Sequence, residues 1–183
     1  EVTSEGIKQY RHLFVDFDLA LITNLSPEHI ESHGGFENYK RAKGELFKIT
    51  KKIHIINLDD KHADYFLGFK ADQKIGYGIE SQKEMIRAVN CSSSLNGVSF
   101  SVNGTDFNIK MPGRFNIYNA LAGISTALSQ GIDMETIKRG LERVIGVDGR
   151  MEEVITSPFR VFVDYAFTPN ALEKVYKTIK EDF

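Results

Sequence analysis

Two nearly unbroken apolar runs of strand length do most to limit what this chain can fold into. They are DLALITNL at 18–25 and IHIINL at 53–58. A strand wetted on one face alternates apolar and polar residues, whereas a strand buried on both faces, as in a parallel sheet, does not. Between them, Phe36 to Ile49 carries its apolar residues at helical spacing. Ala63–Leu67 predicts a short helix and Lys74–Ile79 a third strand. Strands alternating with helices predict an α/β domain built on a mainly parallel sheet.

The pattern then changes. Val98, Phe100 and Val102 alternate with polar residues, Asn103-Gly104 follows, and Phe107, Ile109 and Met111 alternate again. Asn-Gly suits the tight I′ turn of a hairpin, so a small antiparallel sheet is expected, with Ile86 to Val89 as its third strand. Asn116 to Gln130 predicts a helix stopped at Gly131, and Asp133 caps another through Val144. Gly146 and Gly149 mark a linker. Beyond it, strands are expected at Met151–Ile155 and Arg160–Asp164, and a last helix opens at Thr168-Pro169. That final segment is too small for a core of its own, so it belongs to a larger domain.

Charge excludes some partners. With 23 basic and 25 acidic residues, the net charge of −2 creates no field favouring nucleic acid or an anionic membrane. No apolar run is long enough to span a bilayer, and no secretory leader is apparent. The single cysteine, Cys91, rules out an internal disulfide and fits a reducing, cytoplasmic setting. The sequence opens on Glu1 rather than methionine, so a longer parent chain is expected.

Three residues invite chemistry. Lys43 lies inside the apolar stripe formed by Phe36, Tyr39, Leu46 and Phe47. Either its stem packs while its ammonium reaches water, or it is a lysine of lowered pKa with a chemical task. His29 follows the end of the first buried strand, the edge where open parallel sheets collect ligands. Glu1, an isolated carboxylate, would ordinarily be solvated.

Taken together, six segments resemble the Mur ligase family in order and spacing. EVTS at 1–4, TNLSPEHIESHG at 23–34 and ENYKRAKGELF at 37–47 match three consecutive signatures of its MurE type, the UDP-MurNAc-tripeptide synthetases. GRFNIYNALA at 113–122, GVDGRME at 146–152 and VDYAFTPNAL at 163–172 resemble three more. The resemblance implies the later part of a central ATP-binding domain over 1–147 and the beginning of the α/β C-terminal domain over 148–183. It implies an ATP-dependent ligase of peptidoglycan precursor synthesis, serving cell-wall biogenesis, cell shape and division. Such an enzyme phosphorylates the terminal carboxylate of a UDP-MurNAc-peptide, and the amine of an incoming amino acid then displaces phosphate. Family members are mostly monomeric.

Roles follow by matched position. Glu1, His29 and Lys43 correspond to the magnesium-binding residues, with Lys43 carbamylated and central to catalysis. Carbamylation requires a neutral amine, which burial favours, and its product offers oxygens suited to a hard cation. Thr3, Gln9 and Arg11 correspond to substrate contacts. Asn116 and Asn119 match the adenine-contacting asparagines, and Arg150 and Asp164 the residues that approach phosphate and ribose. Structural alternatives stand beside these: Arg11, Arg150 and Asp164 as surface charges, and Asn116 as a helix cap.

The chain also departs from the family. No G-x-x-x-x-G-K-S/T loop occurs; in the family it would precede Glu1, and the rest of the C-terminal domain would follow Phe183. Glu5 stands where histidine is common, Glu28 and Glu31 replace aspartates, and Phe167 replaces a histidine. Two other readings fit less of the pattern: a folylpolyglutamate or cyanophycin synthetase relative, and a non-catalytic binding protein descended from a ligase.

Overall fold

A computed structural model describes residues 1–27, 30–82 and 86–181. The chain divides into two compact units, Glu1–Ile86 and Arg87–Phe183.

The first unit holds the parallel sheet that the apolar runs predict. Strands β1 (Leu19–Ile22), β2 (Ile53–Asn57) and β3 (Gln73–Gly78) pair in parallel, Leu19 opposite Ile53 and Ile53 opposite Gln73. A two-residue strand, β4 (Ile86–Arg87), is last in the order β1-β2-β3-β4. β2 is central and almost wholly buried, as its unbroken apolar sequence requires, whereas β1 alternates buried and half-buried residues. Helix α1 (Ser4–Lys8) precedes β1; α2 (Ile30–His33) and α3 (Phe36–Ile49) link β1 to β2; α4 (Ala63–Leu67) links β2 to β3. α3 and α4 have the predicted bounds.

Tyr39 and Phe47 of α3 and Phe66 of α4 pack on Ala20, Ile22 and Ile56 of the sheet. Phe47 is 1% exposed, and emptying such a site by truncation to alanine costs about 3–5 kcal/mol. Gly44 permits the close approach of α4, since a Cβ there would lie 2.4 Å from the Tyr65 hydroxyl and 2.9 Å from Phe69. His54, wholly buried in β2, lies edge-on to Phe47, and its Nε2 is 2.9 Å from Thr50 O. Burial holds that imidazole below its ordinary pKa, outweighing the carbonyls of Thr50 and Phe47 that favour the charged form.

The carboxyl ends of the strands are laced by side chains. Asn57 Nδ2 donates to Thr23 O (2.8 Å), and Asp60 accepts from Leu25 N and His62 N (both 2.8 Å). Asp59 accepts from the backbone N–H groups of Ile79, Glu80 and Ser81 at 2.6, 2.9 and 2.8 Å. These bonds satisfy loop amides that would otherwise lack partners.

The second unit begins with an antiparallel sheet of β5 (Val89–Ser94), β6 (Gly97–Val102) and β7 (Thr105–Ile109). Asn103 and Gly104 make the predicted turn, both with positive φ, at 50° and 79°. Phe100 and Phe107 face each other across it and stack, centroids 5.2 Å apart. The third strand differs from expectation. Ile86 enters the parallel sheet, and the antiparallel partner is the serine-rich 89–94, an edge strand whose weak alternation hides it.

Helices α5 (Phe115–Ser129) and α6 (Met134–Glu142) follow, α5 burying Ile117, Leu121 and Ile124. Asp133 caps α6 by accepting from Thr136 N (2.9 Å). Strands β8 (Glu152–Ile155) and β9 (Val161–Val163) pair antiparallel, and α7 (Pro169–Glu181) ends the described chain. Met151, at the start of this segment, packs with Leu95 and Val175. Among the described residues no helix is long and apolar enough to cross a membrane.

Candidate functional site

The predicted residues fall into three groups. The first surrounds α1. Thr3 is its N-cap, Oγ1 accepting from Gly6 N at 2.9 Å, which explains the need for a short hydroxyl side chain at that position. Glu1, Thr3 and Arg11 line one cavity of about 160 Å³ together with Val2, Gly6, His12 and Phe17. Gln9 is the exposed C-cap of the same helix and does not line that cavity.

Lys43 is half-buried on α3, among Tyr39, Gly44 and Phe47 on the side facing the core. Burial lowers its pKa, and the Glu1 carboxylate acts in the opposite direction. The half-buried stem and the lowered amine pKa come from the same burial, and Glu1 lies close enough to act on the amine's charge. His29, the third predicted member of this group, lies outside the described residues. No cluster of three or more His, Cys, Asp or Glu occurs among the described residues. The donors fit a hard cation in kind, with one carboxylate and one amine that carbamylation turns into an oxygen donor.

The second group is the asparagine pair on α5. Asn116 is buried and is not the cap; Arg114 occupies that position. Asn116 Nδ2 donates to Pro112 O (2.7 Å), and Asn119 Nδ2 donates to Asn116 Oδ1 (2.9 Å). Asn119 itself is exposed. One residue supports, and the other, a turn later, meets solvent.

The third group is at the linker. Asp164 accepts from Met151 N (2.8 Å) through Oδ2 and from Ala166 N (2.7 Å) through Oδ1. It fastens β9 to the linker, a structural task that its sequence position does not reveal. Arg150 is exposed and lies over the Tyr165 ring at 4.8 Å, and Tyr165 meets Phe167 edge-on with centroids 5.3 Å apart. The residue that stands in place of the family's histidine thus belongs to an exposed aromatic pair.

Sequence reasoning passes over His33. Its side chain is 2% exposed, and its Nε2 lies 3.0 Å from Ser4 Oγ and 3.3 Å from Glu5 Oε1. The only signal is its place in the HG of the second motif.

Comparison with known proteins agrees with these motifs. A family model described as the Mur ligase middle domain matches residues 1–127. The UDP-N-acetylmuramoyl-L-alanyl-D-glutamate–2,6-diaminopimelate ligase of Caldanaerobacter subterraneus subsp. tengcongensis is 37% identical over 186 residues, covering 99% of this chain and 38% of its own length. A solved structure of a ligase of that name superposes with a TM-score of 0.79 at 31% identity, over 98% of this chain and 39% of its own. The UDP-N-acetylmuramoylalanyl-D-glutamyl-2,6-diaminopimelate–D-alanyl-D-alanyl ligase of Acinetobacter baumannii superposes at 0.83 over 100% of this chain and 41% of its own; at 20% identity it speaks for the fold alone. The chain spans about 38% of the length of the curated relatives it matches.

Proposed function

The chain belongs to the Mur ligase family, and from that membership we propose that it supplies part of an ATP-dependent ligase joining an amino acid to a UDP-MurNAc-peptide. In this reading residues 1–147 are the later part of the central ATP-binding domain, and 148–183 begin the C-terminal domain. The reaction runs through an acyl phosphate on the peptide's terminal carboxylate, which the incoming amine attacks as phosphate leaves. We assign it to the cytoplasm, in keeping with a chain that has one cysteine and no disulfide.

Glu1, His29 and carbamylated Lys43 would hold magnesium, which when bound offsets charge on the phosphate oxygens. Thr3 and Arg11 would meet the UDP-MurNAc-peptide at the cavity they share, and Gln9 would meet it from outside that cavity, at the end of the same helix. The fixed positive charge of Arg11 suits an anionic group there. Asn119, steadied by Asn116, would meet the adenine edge, and Arg150 would approach phosphate from the linker. Asp164 would accept from ribose through the lone pairs its two backbone bonds leave free, while it holds Arg150's segment in place.

The observation that carries this reading is the half-buried amine of Lys43 within electrostatic reach of Glu1. A neutral amine is the form that takes up CO2, and burial raises its fraction at a given pH. Incubation with 13C-bicarbonate should give a carbamate carbon signal by NMR that Lys43→Arg removes and magnesium shifts. A wild-type chain without that signal at pH 8 sinks the assignment.

A further inference from the structure

The contacts between α1 and the segment that opens α3 assign a role to residues that the family motifs leave unexplained. Ser4 and His33, 29 residues apart, are both buried, and His33 Nε2 is within 3.0 Å of Ser4 Oγ and 3.3 Å of Glu5 Oε1. Glu5 Oε1 is shielded from solvent although the Glu5 side chain is 45% exposed, so this oxygen is turned inward. The two groups sit within ion-pair distance of each other.

The ring is fixed from other sides. It lies edge-on to Tyr39, centroids 5.5 Å apart and planes at 61°. Asn38 Nδ2 donates to His33 O at 2.9 Å, which anchors the backbone of α2 to the first turn of α3. At the far end of α1, Lys8 Nζ donates to Ser32 O at 2.5 Å. A five-residue helix does not persist by itself, so its place depends on such attachments. Glu1 and Thr3 lie just before Ser4, and Lys43 lies one turn beyond Tyr39 on the same face of α3. Any slip of α1 along α3 therefore changes the separation of Glu1 from Lys43.

We infer that Ser4, Glu5 and His33 form a clasp that sets Glu1 and Thr3 against the face of α3 carrying Lys43, with His33 the central positioning residue. Its functional consequence rests on the reading of Glu1 and Lys43 as a metal-binding wall. Glu5, where the resembling enzymes commonly carry histidine, is then no sign of decay. It sets a carboxylate within 3.3 Å of the His33 ring.

Two measurements on the 183-residue chain test this. Amide exchange at Gly6, Ile7 and Gln9, which donate within α1 and its caps, should quicken about fivefold in His33→Ala, the effect of losing the one net hydrogen bond to Ser4, and should quicken in Glu5→Ala, which removes the carboxylate beside the ring. Exchange in α5 should be unchanged. His33→Gln, which keeps a donor, should restore the wild-type rate. Glu5→Ala removes a half-exposed side chain and keeps the test open if His33→Ala does not fold. In parallel, Mn2+ binding followed by electron paramagnetic resonance should weaken about fivefold in His33→Ala and recover in His33→Gln. Unchanged α1 exchange in both alanine variants overturns the clasp. Altered exchange with Mn2+ affinity indifferent to Glu1→Gln supports the clasp and overturns the metal reading instead.

Discussion

Lys43 shows how far a side-chain pattern can disclose the state of a single residue. Its place in the stripe of Phe36, Tyr39, Leu46 and Phe47 requires partial burial, and burial is what lowers its pKa. The unfolded chain, at the ordinary 10.5, binds that proton more tightly than the folded one. Stability from this residue is therefore greatest above pH 10.5 and is lost as pH falls through the lower folded value. Lys43→Met keeps the packing and discards the charge. It should unfold at higher urea concentration than wild type at pH 7, and the advantage should shrink as pH approaches 10.5. A variant less stable than wild type at pH 7 would contradict this account. His33 is illegible by the same approach, because its partners Ser4 and Glu5 lie 28 or more positions away and no periodicity connects them. The structural task of Asp164 is hidden for a related reason: the groups that donate to it are backbone amides, which leave no trace in a side-chain pattern.

At the scale of elements, legibility follows amphipathicity. α3, α4 and the β6–β7 hairpin match the expected positions because burial of one face, or Asn-Gly at the turn, dictates them. α1 and α2 escape, being single turns too short to display a helical period. β5 escapes because Ser92 to Ser94 pairs with β6 while offering the core little to bury. The hairpin also sets a prediction. Gly97 opens β6 with φ at 136°, and a Cβ there would come within 2.1 Å of Ile109 O on β7. Gly97→Ala should cost about 1–3 kcal/mol from backbone strain alone, with the clash added. Urea unfolding measures it, and a loss below 0.5 kcal/mol (roughly the effect of an ordinary surface change) would mean the strand ends adapt.

For the whole molecule, the two compact units divide the proposed chemistry between them: Glu1, Thr3, Arg11 and Lys43 in one, the asparagines, Arg150 and Asp164 in the other. The sequence contains no glycine-rich phosphate loop of the G-x-x-x-x-G-K-S/T kind in either. A metal wall and a purine-side contact do not grip the β- and γ-phosphates, which need backbone amides and a lysine placed for them. The 183-residue chain alone should show no magnesium-dependent ATP hydrolysis above buffer in a phosphate-release assay. Turnover that Lys43→Ala abolishes would refute this. The fold class is readable because layer architecture follows from element order. The division into units is not, since it depends on which contacts close after the strands have paired.

The asparagine pair of α5 has one more implication. The carbonyl of Pro112 can only accept, so Asn116 must turn its nitrogen toward it and its oxygen toward Asn119, which must answer with its own nitrogen. The handedness of what Asn119 presents, one oxygen and one remaining N–H, is thus written by a main-chain atom four residues before Asn116. No side-chain substitution can edit that atom directly, so a partner's pattern of donors and acceptors at this point is inherited with the backbone rather than chosen residue by residue.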